Sequence, residues 1–400
     1  MVTRDTTYDV VLFGATGFTG ALTVEKLAAL GPSGLRWAIA GRNRAKLESV
    51  RAALADLGPA GERVEVLTAD VEDAASLRSM AEQTRVVAST VGPFSEHGEP
   101  LVAACADTGV DYADITGEPE FVDRMWLAHH ARAVETGSRL VHACGFDSIP
   151  HDLGAYFTVL QLPTDVPLTV KGYVRAGGTP SNGTYRSAVH AFSRARQSKQ
   201  ASAERRRRRP PAPAGRRVTA LPPRPERAPD DHGYALPLPT IDPLVVRRSA
   251  RALDRYGPDF RYGHYAVVRS PVVAVGAPVV LGVLAGVAQL PVGRDLLLRL
   301  GDHGSGPGAD RRAASWFRVR FVGTGGGRRV VTEVRGGDPG YDETSTMLAQ
   351  SAMCLALDHL PDTAGQVTTV EAMGDALLGR LQVHGPSFHV LEDVPQESAG

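Results

Sequence analysis

At 400 residues the chain exceeds what one hydrophobic core usually organises, so two domains are expected. Its 44 basic and 44 acidic residues cancel, which removes any global field for recruiting nucleic acid, and no nucleic-acid partner is expected. Three separated cysteines, Cys105, Cys144 and Cys354, fit neither a disulfide framework nor a zinc site.

The N-terminus shows no basic run followed by an apolar stretch of the secretory kind, so a cytoplasmic setting is expected. The first apolar run, Tyr8 to Phe13, leads instead into Gly14-Ala15-Thr16-Gly17-Phe18-Thr19-Gly20 and then an amphipathic stretch. Strand, glycine turn and helix in that order make a phosphate-binding βα unit. Gly14 lets the chain reverse, Gly17 lets backbone approach a pyrophosphate, and Gly20 lets the helix pack closely on its strand. The competing reading of such a turn is a purely structural connection.

A second strand, 35–40, runs into Gly41-Arg42-Asn43-Arg44 and a helix over 45–57. An NAD site places an acidic residue near the end of this strand, whereas a 2′-phosphate needs a cation there. Arg42 occupies that place, which points to NADP(H); the alternative is a solvated arginine opening a helix. After the third strand, 64–69, Asp70 can contact an adenine amino group or cap the next helix, 74–83. The fourth strand, 86–91, ends in Gly92-Pro93-Phe94 at the edge where the sheet delivers loops to a dinucleotide. Further helices over 98–108 and 120–136 and strands over 110–115 and 139–143 complete a Rossmann-type doubly wound parallel sheet, residues 1–154.

Residues 155–365 read as a second, α+β domain for substrate binding, and for homodimer contact if the chain pairs. It contains an alternating strand, 168–175, a glycine-rich turn over 177–184 that feeds a helix over 185–200, and the glycine turn 304–308. Within it, Arg205 to Arg209 followed by a proline-rich stretch makes 201–230 a disordered, solvated insertion, although a basic run also suits anionic lipid. The uncharged segment 271–291 reads as a buried or partly exposed apolar helical hairpin, a membrane-surface contact, or a span. Pro278 and three glycines oppose the span. A surface contact would place the protein peripherally at the inner face of the membrane. Strands over 316–322 and 328–335 form a hairpin through the glycines of 323–327, a long helix covers 341–360, and a helix and tail, 366–400, pack back on the first domain.

The Gly14–Gly20 turn, Ala40-Gly41-Arg42, Thr90-Val91-Gly92-Pro93-Phe94, Tyr112-Ala113-Asp114-Ile115-Thr116-Gly117-Glu118 and Cys144-Gly145-Phe146-Asp147-Ser148-Ile149-Pro150 together resemble the saccharopine-dehydrogenase-like oxidoreductases. Within that family the pattern is most similar to the trans-acting enoyl reductases of mycobacterial lipid biosynthesis. The resemblance resumes at Gly336–Tyr341 and Thr368–Leu378. It implies NADPH-dependent reduction of an unsaturated acyl thioester; imine chemistry of the saccharopine type and a non-catalytic NADPH-binding module are the alternatives.

No hydrolase elbow and no clustered metal ligands are visible, so no metal is expected. Hydride transfer requires a held nicotinamide and one proton. Candidates for handling that proton are Asp147, His151 and Tyr341, with Tyr112 and Ser148 nearby; Asp147 or Asp152 can alternatively cap the helix that begins there.

Overall fold

The computed structural model describes residues 6–54, 57–58, 60–178, 182–213, 215–229, 233–300 and 306–395. Strand and helix alternate first: β1 (Tyr8–Phe13), α1 (Phe18–Leu30), β2 (Trp37–Gly41), α2 (Arg44–Ala52), β3 (Glu65–Thr68), α3 (Ala74–Glu82), β4 (Thr84–Ser89), the single turn α4 (Phe94–His97), α5 (Glu99–Thr108), β5 (Asp111–Asp114), α6 (Pro119–Thr136) and β6 (Arg139–Val141). All adjacent strands are parallel. The order β3-β2-β1-β4-β5-β6 changes direction between β1 and β4, where an α/β sheet opens its ligand crevice. β1 and β2 are buried almost throughout, as their continuous apolar sequence requires of strands covered on both faces.

The chain then leaves this sheet through α7 (Ile149–Val159) and runs through β7 (Leu168–Gly177), α8 (Asn182–Ser193), α9 (Ala195–Arg208), β8 (Arg217–Ala220), β9 (Glu226–Arg227), β10 (Tyr234–Pro237), α10 (Asp242–Ala252), β11 (Asp259–Val268), α11 (Pro271–Ala288), α12 (Pro291–Leu300), α13 (Ala309–Ala313), β12 (Trp316–Gly325) and β13 (Arg328–Gly336). It closes with α14 (Asp342–Leu357), β14 (Gly365–Val367), α15 (Thr369–His384) and β15 (Ser387–Pro395). The second sheet has the order β15-β13-β12-β7-β11-β10-β9, with β8 also parallel to β11. β12 and β13 meet in a two-residue turn, Gly326-Gly327, whose φ values of 58° and 72° are those of the type I′ hairpin.

α7 packs on β7, β12 and β13 of the second sheet and against α10 and α15, and is buried on nearly every side. A Cβ on Gly154 would sit 2.3 Å from the Phe321 ring, so glycine there sets how closely α7 meets the second sheet. One continuous apolar cluster joins Val10 and Leu12 of the first sheet, Leu153 of α7 and Phe321 of the second.

Several elements differ from the sequence reading. β14 pairs in parallel with β6 and adds a seventh strand to the first sheet, while the tail becomes β15 on β13. α14, inside the span read as second domain, packs on α1 and β4. The expected disordered insertion is ordered where described: α9 is helical to Arg208 and β8 and β9 join the second sheet, with residues 214 and 230 outside the described set. The arginine run is helical because Arg is a good helix former and Glu204 pairs with Arg207 and Arg208. Arg205 also turns inward to Asp123 and over the Trp126 ring. The helix α11 runs unbroken through position 278, and α12 folds back beside it. Parts of the glycine-rich 177–184 and 304–308 turns, at 179–181 and 304–305, lie outside the described residues.

Arg139 links the sixth and seventh strands of the first sheet. It is 3% exposed and donates to Asp111 Oδ2 at 2.9 Å and to the Pro361 carbonyl at 3.1 Å. Removing one partner of a buried pair strands the other charge, so Arg139→Ala should destabilise the fold by about 3–5 kcal/mol, read as a lower urea midpoint.

Candidate cofactor and catalytic site

Gly14 leaves β1 with φ 97°, and a Cβ there would strike Thr90 and Val91 at 2.7 Å. At Gly20 a Cβ would lie 2.1 Å from the Gly14 carbonyl oxygen, so α1 reaches its strand only with hydrogen in that place. Gly17 is different. Its backbone is extended, and a Cβ there would meet nothing closer than the Gly14 carbonyl oxygen at 3.5 Å. Neither packing nor conformation calls for glycine at 17, and the open space beside it would admit a pyrophosphate. Gly17 is the N-cap of α1 and gives it no side-chain cap, so the first N–H groups and the helix dipole are available to an anion. Ala15 is buried and can offer only backbone, Thr16 is exposed, and Phe18 and Thr19 are half-buried beside them.

Arg42 directly follows β2, is exposed, and makes no ion pair among the described residues, whereas Arg44 is paired with Glu48. Asn43, not an arginine, caps α2. Asp70 accepts from the Glu72 N–H in a local turn, and Asp73 caps α3, so the capping alternative for Asp70 falls. These residues fit an NADP-type ligand: a glycine cradle for the pyrophosphate and a guanidinium for the 2′-phosphate.

The other half of the crevice is built on Asp114, at the end of β5. Its Oδ1 accepts from the Thr116 and Ala143 N–H groups at 3.0 and 3.1 Å, and its Oδ2 lies 2.7 Å from His142 Nδ1. Ala143 has φ 61°, the one positive value at a non-glycine among the described residues, and its bond to Asp114 holds it there. Thr116 Oγ1 in turn accepts from the Glu118 N–H, and the Glu118 carboxylate accepts from the N–H groups of Phe94 and Ser95. Gly92 and Pro93 are thereby placed beside the β5 loop.

Asp147 stands on the loop after β6, half-buried, against Gly117, where any side chain would collide with its carboxyl. Burial pushes its pKa up to about 7, with the Asp114 and Glu118 charges adding to the rise against a local backbone hydrogen bond. The start of α14 clamps this loop to the glycine turn: Thr344 Oγ1 accepts from the Phe146 N–H at 3.0 Å, and Ser345 Oγ donates to the Thr19 carbonyl at 3.3 Å. Asp338 caps α14 by accepting from Tyr341 and Asp342, which accounts for the Gly336–Tyr341 motif. Tyr341 is buried edge-on against Phe18, 4.8 Å between ring centres, and so shapes the phosphate turn.

His151 is buried behind Phe146 and does not stand at the crevice surface as a titrating acid. Burial, then the nearby His264, holds its pKa well below the usual value, and burial takes His264 down to about 3. The two rings flank Asp242, with His151 Nδ1 3.4 Å from Oδ1 and His264 Nε2 3.6 Å from Oδ2. Burial drives the Asp242 carboxyl well up against a bond from Thr240. The ligand-type atoms of these three residues lie within 4.8 Å of one another, the grouping among the described residues that has the spacing to share a metal ion. The sequence shows none of this, because Asp242 and His264 carry no motif and are brought to His151 only by the second sheet. Tyr112 is fully buried in the core and Ser148 is buried beneath the loop, which removes both as acids. Asp152 caps α15 rather than α7: it accepts from Thr369 Oγ1 and the Val370 N–H and from Ser249 of α10.

Residues 10–141 match the family described as the saccharopine dehydrogenase NADP binding domain. Over 95% of this chain and 97% of the relative, the sequence is 37% identical to a Mycobacterium tuberculosis protein named as a trans-acting enoyl reductase. The chain belongs to the saccharopine-dehydrogenase-like oxidoreductases. An Arabidopsis thaliana mitochondrial saccharopine dehydrogenase-like oxidoreductase is 31% identical over 97% of both chains. The fold is also that of the L-Glu-forming saccharopine dehydrogenase of Saccharomyces cerevisiae, with TM-score 0.54 over 96% of this chain and all of that one at 12% identity. As a member of this family the protein is an NAD(P)H-dependent oxidoreductase, and its cofactor is NADP(H).

The cradle separates binding from folding. Gly17→Val should weaken NADPH binding at least about tenfold by calorimetry while costing no more than about 1 kcal/mol of stability. Arg42→Ala should lower the preference for NADPH over NADH by about tenfold, the scale of one charged hydrogen bond.

Proposed function

We propose that the protein is an enoyl reductase that uses NADPH to saturate an α,β-unsaturated acyl thioester. The observation that carries this reading is Asp147, a carboxyl holding its proton near neutrality at the crevice edge of the first sheet. Relatives named as enoyl reductases along almost the whole chain support it. NADPH, when bound, supplies the hydride. With that hydride on the β-carbon, the carbon–carbon π pair would shift into the bond between the α-carbon and the carbonyl carbon while the carbonyl π pair moves onto oxygen as an enolate, and Asp147 would give its proton to the α-carbon, ending as a carboxylate. Gly117 leaves room for that carboxyl, and the Thr344 bond to Phe146 fixes the loop that bears it. His151, with Asp242 and His264, is a positioning residue beneath that loop.

With Asp147 as donor, kcat should be level below about pH 7 and fall above it as the proton is lost. Asp147→Asn should lower kcat by about 10²-fold or more and abolish that limb. An unchanged pH profile in the variant would assign the proton to water. Reduction of an imine but of no enoyl thioester, in a panel with purified protein and NADPH, would favour saccharopine-type chemistry.

The reading extends to where substrate is met. α11 is long and apolar enough to cross a membrane, with mean hydropathy 2.2, and it lies on the surface rather than in the core, with Val272 79% and Val275 76% exposed. Val292 of α12 continues the patch at 82% exposure. Contiguous apolar surface of this kind suits shallow insertion at a bilayer. The wild type should float with liposomes and a Val272→Glu/Val275→Glu variant should not; equal flotation of the two would remove the membrane contact.

A further inference from the structure

The arginine run of α9 faces a second arginine row on α10 across a cleft of about 410 Å³. α9 and its C-cap supply Arg205, Arg206 and Arg209, and α10 supplies Arg247, Arg248 and Arg251. Against these six guanidiniums the lining has two carboxylates, Asp123 and Glu371. Asp123 is already shared between Arg205 at 3.0 Å and Arg248 at 2.5 Å. Glu371 closes the capping box of α15. Arg209, Arg247 and Arg251 pair with no carboxylate among the described residues. The crowding shows in proton affinity: burial and then Arg248 bring Arg205 down to about 9, and burial with its arginine neighbours brings Arg251 to about 10. A protein that gathers like charges without counter-charges leaves that balance to a ligand, and the fork geometry of arginine matches phosphate.

The inner wall asks for something else. His142 Nε2 and Gln366 Oε1, on two residues that line the same cleft, are buried and have no hydrogen-bond partner. The Asp114 carboxylate engages Nδ1 of His142 and fixes Nδ1–H as the donor, which leaves Nε2 as an acceptor. Two buried acceptors need N–H or O–H donors from whatever enters. Trp126 and Leu244 give apolar wall between the two zones. The ligand that satisfies both zones has a phosphate at one end and a neutral arm bearing amide or hydroxyl donors.

The cleft adjoins the catalytic loop. His142 and Ala143 line it, and Asp147 follows on the same loop. α10 begins at Asp242, which feels the Asp147 charge, and places its arginines about 8–14 Å further along its axis at 1.5 Å per residue. We propose that this cleft binds the phosphorylated pantetheine arm that carries the acyl thioester, with the phosphate on the arginines and the arm's amides on His142 and Gln366. This assignment rests on the thioester reading of the active site.

Calorimetry on the full chain saturated with NADPH tests it, using 4′-phosphopantetheine, pantetheine, inorganic pyrophosphate and 2-oxoglutarate as probes. Phosphopantetheine should bind at least tenfold more tightly than each of the others. Arg247→Gln/Arg251→Gln should erase that advantage, leave pantetheine unchanged and leave NADPH affinity intact. Gln366→Leu should weaken phosphopantetheine and pantetheine alike. Equal binding of phosphopantetheine and pantetheine would overturn the proposal, as would pyrophosphate or 2-oxoglutarate matching phosphopantetheine, which would make the cleft a small-anion site. Because these are binding measurements, they separate the two readings. Tight phosphopantetheine binding without reduction of enoyl-coenzyme A would remove the enoyl-reductase function and keep the cleft. Reduction of enoyl-pantetheine and enoyl-coenzyme A with the same KM would remove the cleft and keep the function.

Discussion

The buried carboxylate of Asp114 organises the reactive half of the molecule. Through one oxygen it holds Thr116 and the left-handed Ala143, and through the other it orients His142. Thr116 passes the constraint to Glu118, which secures the start of α4. The ends of β4, β5 and β6 are therefore tied by one chain of hydrogen bonds rather than by separate loop packing. A carboxylate that accepts three such bonds in a dry site is well satisfied, and losing it would leave several donors unmet at once.

Much of the first sheet could be read directly from residue order. Its strands are continuous apolar runs, and the glycines at 14, 17 and 20 sit at the one junction where a turn, a ligand approach and a helix contact each need them. The position of Arg42 directly after β2 was legible because the strand end is set by the apolar run before it. β14 and β15 were not. Gly365–Val367 is too short to show a period, and the charged face of Ser387–Pro395 resembles a tail until β13 is there to pair with it.

The middle of the chain was misjudged for a different reason. Composition alone makes Arg205–Arg209 a solvated run, since the local sequence offers five arginines one adjacent counter-charge, Glu204, and no ring. Asp123 and Trp126 lie far away in sequence on α6, and only the packing of α9 on α6 brings them into reach. Likewise His151 has the residue type of a proton donor, and its burial comes from Phe146 and from the strand bearing His264, neither predictable from its neighbours. Charged and titratable residues are the ones whose meaning depends most on partners from elsewhere.

Thr344 and Ser345 are consecutive residues, and they bond to the Asp147 loop and to the glycine turn respectively. The two loops are thus members of one rigid frame, set by a single helical turn. Neither can swing over a substrate without breaking the grip on the other. The frame therefore behaves as a fixed anvil, and a change at either residue would loosen both loops at once.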